Sequence, residues 1–223
     1  MIRICLSIYN RSAHLIKLIK LINKLLEINN AMTVHITDFQ SNDSNIIDIL
    51  NNVNCKYELD ILKEDFNLGK GWNNSSNMES ILDDDILLFL TNDVHINNCE
   101  LFIKECFQYT QYHKSVYCPM HLCQDSKGNY KFLGGATLFS VYKSDFIKMG
   151  YFAESCYWGM AGVDKGNYGE DGDFFNKAKN NNLILNNFRS DNVIALWHPR
   201  DFNDPWYKNS SRAIEMKNIG NWK

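Results

Sequence analysis

Four short apolar runs in the first half of the chain each end in side chains able to bind a polar ligand. Tyr9, Asn10 and Arg11 follow the first, and Asp38, within T-D-F-Q-S-N-D, closes the second. Asn67, Gly69 and Lys70, within E-D-F-N-L-G-K-G, follow the third, and Thr91, Asn92 and Asp93 follow the fourth. One such end is an ordinary loop; four build a site only if the fold brings them to one edge. Asp93 could then offer a hard carboxylate oxygen to Mg2+ or Mn2+, cations that usually keep substrate phosphates in their shell. The run Asp83-Asp84-Asp85 is the densest acidic patch, but it precedes the fourth apolar run and so falls at the opposite edge. It reads as a solvated turn. Cys118, His121 and Cys123, with His113 nearby, could hold zinc, yet their spacing matches no common paired-ligand pattern. Buried thiols beside a surface His are the simpler reading.

The elements that must position these residues follow from periodicity. Arg3–Tyr9 has the pattern of a fully buried strand. Residues 12–28 form a helix, with Leu15, Leu18, Ile19, Ile22, Leu25 and Leu26 on one face and Lys17, Lys20 and Lys24 on another. A basic amphipathic helix can lie on a membrane, but core packing with a solvated lysine face is commoner. Strands are expected over 32–37, 57–62 and 85–90, with helices over 44–52 and 71–82; further on come a helix over 173–180 and a strand over 193–196. Strands alternating with helices imply right-handed crossovers and a mainly parallel sheet. Ligands of such sheets sit at the carboxyl ends of the strands, where all four polar ends lie. The expected fold class is therefore α/β, a single domain whose mainly parallel central sheet is flanked by helices.

Composition sets the outer bounds. With 223 residues, a formal charge of −3, 45% apolar and 22% charged residues, the chain is no strongly basic nucleic-acid binder and carries no long acidic tail. Its length suits one α/β domain. No apolar run approaches the ~20 residues of a membrane span, and M-I-R-I-C-L-S-I-Y-N lacks the apolar stretch of a secretory signal. The seven Cys are odd in number and follow no frame, so reduced thiols and a cytoplasmic location are expected. With 29 Asn in the chain, a single Asn is weak evidence of function. Asn10, Asn67 and Asn92 stay as candidates because each follows a strand end.

Taken in order, these segments resemble the family 2-type glycosyltransferases of the GT-A fold, a Rossmann-like nucleotide-diphospho-sugar transferase fold. The resemblance runs from Ile2 to about Pro199. I-C-L-S-I-Y-N-R is similar to the family's opening strand, and T-D-F-Q-S-N-D-S to its D-x-x-S-x-D segment, which implies that Asp38 binds the uracil ring. F-N-L-G-K-G resembles the N-x-G-x loop, which implies that Lys70 lies near ribose or phosphate. I-L-L-F-L-T-N-D-V resembles the strand ending in D-x-D, of which Thr91-Asn92-Asp93 keeps only the last carboxylate. The segment L-G-G-A-T-L-F-S-V-Y-K-S-D-F-I-K-M-G-Y-F is similar to the family's Gly-rich turn and following strand, implying that Gly134 and Gly135 let backbone approach the sugar. W-G-M-A-G-V-D-K-G-N-Y-G-E-D-G-D-F resembles the acceptor segment W-G-x-E-D-x-D, with an insertion between Trp158 and Gly169. A-L-W-H-P resembles the late metal-binding His, here His198.

The resemblance implies metal-dependent transfer of a sugar from a nucleotide-sugar, a UDP-sugar, to a hydroxyl of a glycan or other acceptor, with inversion. Asp93 and His198 would hold the cation, and Lys70 or Arg11 would add positive charge at the phosphates. Asp171 would be the general base, since a carboxylate near a helix N-terminus is favoured in its ionised form; a plain helix cap is the competing role. Glu170 would bind acceptor hydroxyls, and Trp158 would face the sugar's C–H surface. Residues 1–95 would form the nucleotide-binding half of the domain and 96–200 the acceptor and catalytic half. The tail 201–223 would cover the site as a lid, pack against the domain or touch another subunit, so an oligomer stays open. Two rivals remain. One is a degenerate, non-catalytic sugar- or nucleotide-binding module. The other is a nucleotidyltransferase, whose Gly-rich basic loop after the first strand has no counterpart at Tyr9-Asn10-Arg11.

Overall fold

The computed structural model describes residues 1–64, 67–110, 114–124, 129–133, 138–152, 154 and 170–195, with backbone alone at 123–124, 131–133 and 170–172. Its first half alternates as expected: β1 (Ile2–Ile8), α1 (Ser12–Ile28), β2 (Thr33–Asp38), α2 (Ile46–Leu50), β3 (Tyr57–Ile61), α3 (Leu68–Ser76) and β4 (Ile86–Leu90). There follow β5 (Val94–Ile96), α4 (Cys99–Thr110), β6 (Ser115–Tyr117), β7 (Met120–Gln124), β8 (Tyr130–Leu133), β9 (Leu138–Tyr142) and α5 (Lys143–Met149). The described chain closes with α6 (Glu170–Asn180), β10 (Ile184–Asn186) and β11 (Arg189–Ala195).

Seven strands form the central sheet in the order β10-β6-β9-β4-β1-β2-β3. The β4-β1-β2-β3 block is parallel, and β9 runs antiparallel to both β4 and β6. Strand β1 is covered on both faces, which is why its sequence is nearly continuous in apolar residues. Ile2, Ile4, Leu6 and Ile8 face one core layer with Leu15, Leu18, Ile22 and Leu25 of α1. Cys5 faces the other layer, built around Trp72 of α3, Phe89, Phe139, Phe146, Phe152 and Phe174. Each fully buried aliphatic side chain contributes roughly 1.5–3 kcal/mol of gross burial energy. That sum carries α1 through an unfavourable start: Asn10 and Arg11 both have positive φ (50° and 59°), and no side chain caps the helix.

Three local differences from the expectation have identifiable causes. Helix α3 begins at Leu68 rather than Gly71 because the Asn67 side chain caps it, its Oδ1 accepting the Lys70 N–H at 2.9 Å. It stops at Ser76 rather than Leu82, where residues 77–82 turn back on themselves. Asp85 is not part of a solvated turn. It is buried, accepts from the Leu82 N–H at 2.9 Å and pairs with Arg3 Nε at 2.7 Å. Burial works against its charge, but the Leu82 amide and the Arg3 guanidinium hold its carboxyl below the ordinary value. Asp83 and Asp84 do face solvent.

A second sheet, β5-β11-β7-β8, was not expected from the sequence. Strands β7 and β8 are neighbours in sequence, but β11 joins them to β5 through distant pairings, such as Val193 with Ile96. No helix among the described residues is long and apolar enough to cross a membrane.

Candidate functional site at the sheet's carboxyl edge

Register brings the polar strand ends together. Ile8 pairs with Asp38, Asp38 with Ile61, and Leu6 with Leu90, so the residues that follow these strands share one edge of the parallel block.

The loops after β1 and β2 are stapled to each other. The Asn10 N–H donates to Ser41 Oγ at 2.7 Å, and Asn10 Oδ1 accepts the N–H groups of Asn42 (3.0 Å) and Asp43 (3.2 Å). Ser41 in turn donates its hydroxyl to Asp38 Oδ1 at 2.5 Å and its N–H to the same carboxylate at 3.2 Å. Burial raises the Asp38 pKa, and the Ser41 bonds pull it partly back. Asn10 is thus a buried organiser of the loop, yet its Nδ2 is buried without a hydrogen-bond partner. Tyr9 and Arg11 are half-buried beside it. Ser41, the serine of the D-x-x-S spacing, thus joins Asp38 and Asn10 at the candidate site.

After β3, the Asn67 carboxamide works in two directions. Its oxygen caps α3, and its Nδ2 donates to the Glu154 carbonyl at 2.6 Å. Lys70 Nζ lies 2.6 Å from Glu64 Oε2, a pairing that raises the lysine pKa. A phosphate would have to compete with Glu64 for this cation. Gly69 is buried in the first turn of α3. Two residues on, Gly71 lets the helix approach β1: a Cβ there would lie 2.6 Å from Ser7 Cβ and 2.8 Å from Phe39 Cε2. Glu154 and Glu64 are two further site-edge carboxylates, found only through these contacts.

After β4, the Thr91 hydroxyl donates to Asp93 Oδ1, and Thr91, Asn92 and Asp93 are all half-buried. Asp93 offers a hard oxygen ligand, which suits Mn2+ or Mg2+ shared with diphosphate oxygens. Among the described residues no group of three or more His, Cys, Asp and Glu could hold a metal ion without such help. Of the Cys118, His121, Cys123 and His113 group, only Cys118 and His121 have described side chains. His121 is buried rather than at the surface, with Nδ1 3.4 Å from the Pro119 carbonyl.

Glu170 and Asp171 open α6. That helix leads through 181–183 into β10, which runs parallel to β6 and hence to β4. A helix that precedes such a strand by a short turn starts at the strands' carboxyl edge, the edge that holds Asp38 and Asp93. Gly134, Gly135, Trp158, His198 and the tail 201–223 lie outside the described residues, as do Cys156 and His113.

No family model and no curated protein matches the sequence. Solved structures do. A mutant of Drosophila β-1,4-galactosyltransferase 7, in complex with manganese, UDP-Gal and xylobiose, superimposes with a TM-score of 0.58 at 13% identity, over 96% of this chain and 78% of that one. TarS 1–349 of S. aureus in complex with UDP gives 0.57 at 18% identity, over 94% of this chain and 66% of that one. A putative glucose-1-phosphate thymidylyltransferase from Bacillus anthracis gives 0.51 at 8% identity, over 86% and 89%. Strand order, the parallel β4-β1-β2-β3 block and these superpositions together give the chain the GT-A fold of glycosyltransferases.

Proposed function

We propose that the protein is a family 2-type glycosyltransferase that moves a sugar from a UDP-sugar to an acceptor hydroxyl. The observation that carries this reading is the convergence of Asp38, Asn67, Lys70 and Asp93 on one edge of a GT-A sheet. The likeness to structures that hold UDP or UDP-Gal with manganese supports the donor class. Residues 1–95 supply the donor half, with Asp38 and Ser41 at the base and Lys70 at ribose or phosphate. Asp93 and His198 are the protein ligands for a divalent cation, which would neutralise the leaving diphosphate as a Lewis acid. Residues 96–200 supply the acceptor half, with Gly134, Gly135 and Trp158 at the sugar. There Asp171 takes the proton of the attacking hydroxyl, Glu170 orients the acceptor, and attack in line inverts the anomeric centre.

A nucleotide-sugar panel incubated with Mn2+, read as sugar release or transfer, tests the reading. One donor should be consumed, and Asp93→Ala and Asp171→Asn should each abolish that turnover. A fully active Asp93→Ala variant would remove the metal assignment, and unchanged transfer by Asp171→Asn would remove the base. A second reading, a non-catalytic nucleotide-binding module, draws on the single acid of Thr91-Asn92-Asp93 and its tie to the Thr91 hydroxyl. It requires UDP binding with no turnover of any donor.

A further inference from the structure

Helix α3 is unusual in burying polar side chains, and the bonds of Asn73 reach a segment 79 positions away. Asn73 is 7% exposed. Its Oδ1 accepts the Phe152 N–H at 3.0 Å, and its Nδ2 donates to the Phe152 carbonyl at 2.9 Å and to Glu154 Oε1 at 3.1 Å. The carboxamide therefore pairs with both backbone groups of Phe152, as a neighbouring strand would. Asn67 adds a second tie to the Glu154 carbonyl.

The same segment is held from its other side by α6. Lys177 Nζ donates to the Tyr151 carbonyl at 2.8 Å. The Phe152 ring stacks on Phe174 at 4.8 Å and 21°, while it also meets Trp72 of α3 at 5.0 Å. Tyr151, Phe152 and Glu154 thus join two helices that both begin at the site's edge. The α3 end carries Asn67 and Lys70 on the donor side, and the α6 end carries Glu170 and Asp171 on the acceptor side.

We propose that Asn73 is a positioning residue: through Phe152 it fixes the start of α6 against the start of α3, and so sets the distance between acceptor-side carboxylates and donor. The catalytic consequence rests on the transferase reading above; the mechanical link does not. Asn73→Asp keeps an acceptor for the Phe152 N–H, removes both donated bonds and sets a carboxylate beside Glu154. Adding Glu154→Gln restores a donor–acceptor pair at that second contact.

Two measurements test the proposal. Hydrogen exchange of the protein without ligand should show faster exchange in the first turns of α6 for Asn73→Asp, with β1 and β2 unchanged and with partial recovery in the Asn73→Asp, Glu154→Gln double variant. Turnover of the donor found in the panel should fall about 10- to 100-fold in kcat, the scale of a misplacement on the order of 1 Å. UDP affinity in Mn2+ should stay within about two-fold of wild type, because the donor side of α3 keeps its own cap. Unchanged α6 exchange overturns the proposal whatever the turnover shows. A loss of UDP affinity as large as the loss of kcat also overturns it, as does a double variant no better than the single. If the wild type turns over no donor, the transferase reading fails, and the exchange result still decides the link.

Discussion

Replacing Gly71 with Ala probes how closely α3 must lie on β1. An added Cβ would sit 2.1 Å from Ser7 Oγ, 2.6 Å from Ser7 Cβ and 2.8 Å from Phe39 Cε2. The Ser7 Cβ belongs to a central strand and the Phe39 ring is buried, so neither can swing away. Restoring an ordinary contact of 3.4 Å with Ser7 Cβ needs about 0.8 Å of movement, and α3 is the part able to move. Overpacking of this kind costs about 1–3 kcal/mol. Exchanging Gly for Ala inside a helix returns roughly 1 kcal/mol, so the net loss should be about 0–2 kcal/mol. Ser7→Gly removes two of the three contacts. The Ser7 hydroxyl has no hydrogen-bond partner, so that change costs little beyond the roughly 0.5–1 kcal/mol of a Gly in a strand. Urea unfolding of the wild type, both single variants and the double variant gives a cycle with an expected coupling of about 1 kcal/mol or more in favour of the pair. UDP affinity in Mn2+ should fall in Gly71→Ala and return in the double variant. If Gly71→Ala is instead more stable than wild type by about 1 kcal/mol and uncoupled from Ser7, the close approach of α3 has been misjudged.

Three other outcomes follow from the same contacts. His35 is buried between Thr33 Oγ1 at 2.8 Å and Glu58 at 3.4 Å, and burial lowers its pKa below 6.5. A depressed base contributes stability that is present above the unfolded value and lost as pH falls, so the urea midpoint should drop between pH 7.5 and 5.5 and drop less in His35→Gln; equal slopes would exclude His35 as the cause. Asp38 has a raised pKa, so its stability contribution is lost as pH rises through the carboxylate range. Asp38→Asn should therefore keep or raise the midpoint at neutral pH while UDP affinity falls about ten-fold or more; weaker folding with unchanged UDP binding would reverse its assigned role. Lys70 and Glu64 form a largely exposed pair, worth about 0–1 kcal/mol. Lys70→Met should leave the urea midpoint nearly unchanged and raise the donor KM, and a lowered midpoint with unchanged KM would make the lysine structural.

The parts of the fold that the sequence displays most clearly are those whose physics is local. Helix α1 shows its periodicity over 17 residues, and β1 and β4 show buried apolar runs. That the polar strand ends share one edge also follows from alternation, because strands joined by helices run parallel. Helix α3 hides its boundaries because it breaks the usual pattern. Gly69 and Gly71 lower its propensity, and Asn73, Ser75 and Ser76 are polar yet buried, with Asn67 starting it from outside. The sequence shows neither α4 nor the second sheet, of which it displays only a strand over 193–196, because β11 joins β5 and β7 through pairings far along the chain. The site's supporting cast is hidden for the same reason. Asn73 meets Phe152 across 79 positions and Asn67 meets Glu154 across 87, separations that no spacing rule reaches. Asp85 was misread because its partner Arg3 lies 82 positions away.

The most direct test of the central claim is calorimetric titration of the protein with UDP, with and without Mn2+. UDP should bind, bind more tightly with Mn2+, lose that gain in Asp93→Ala and bind more weakly to Asp38→Asn under both conditions. An absence of UDP binding by the wild type under either condition would contradict the claim.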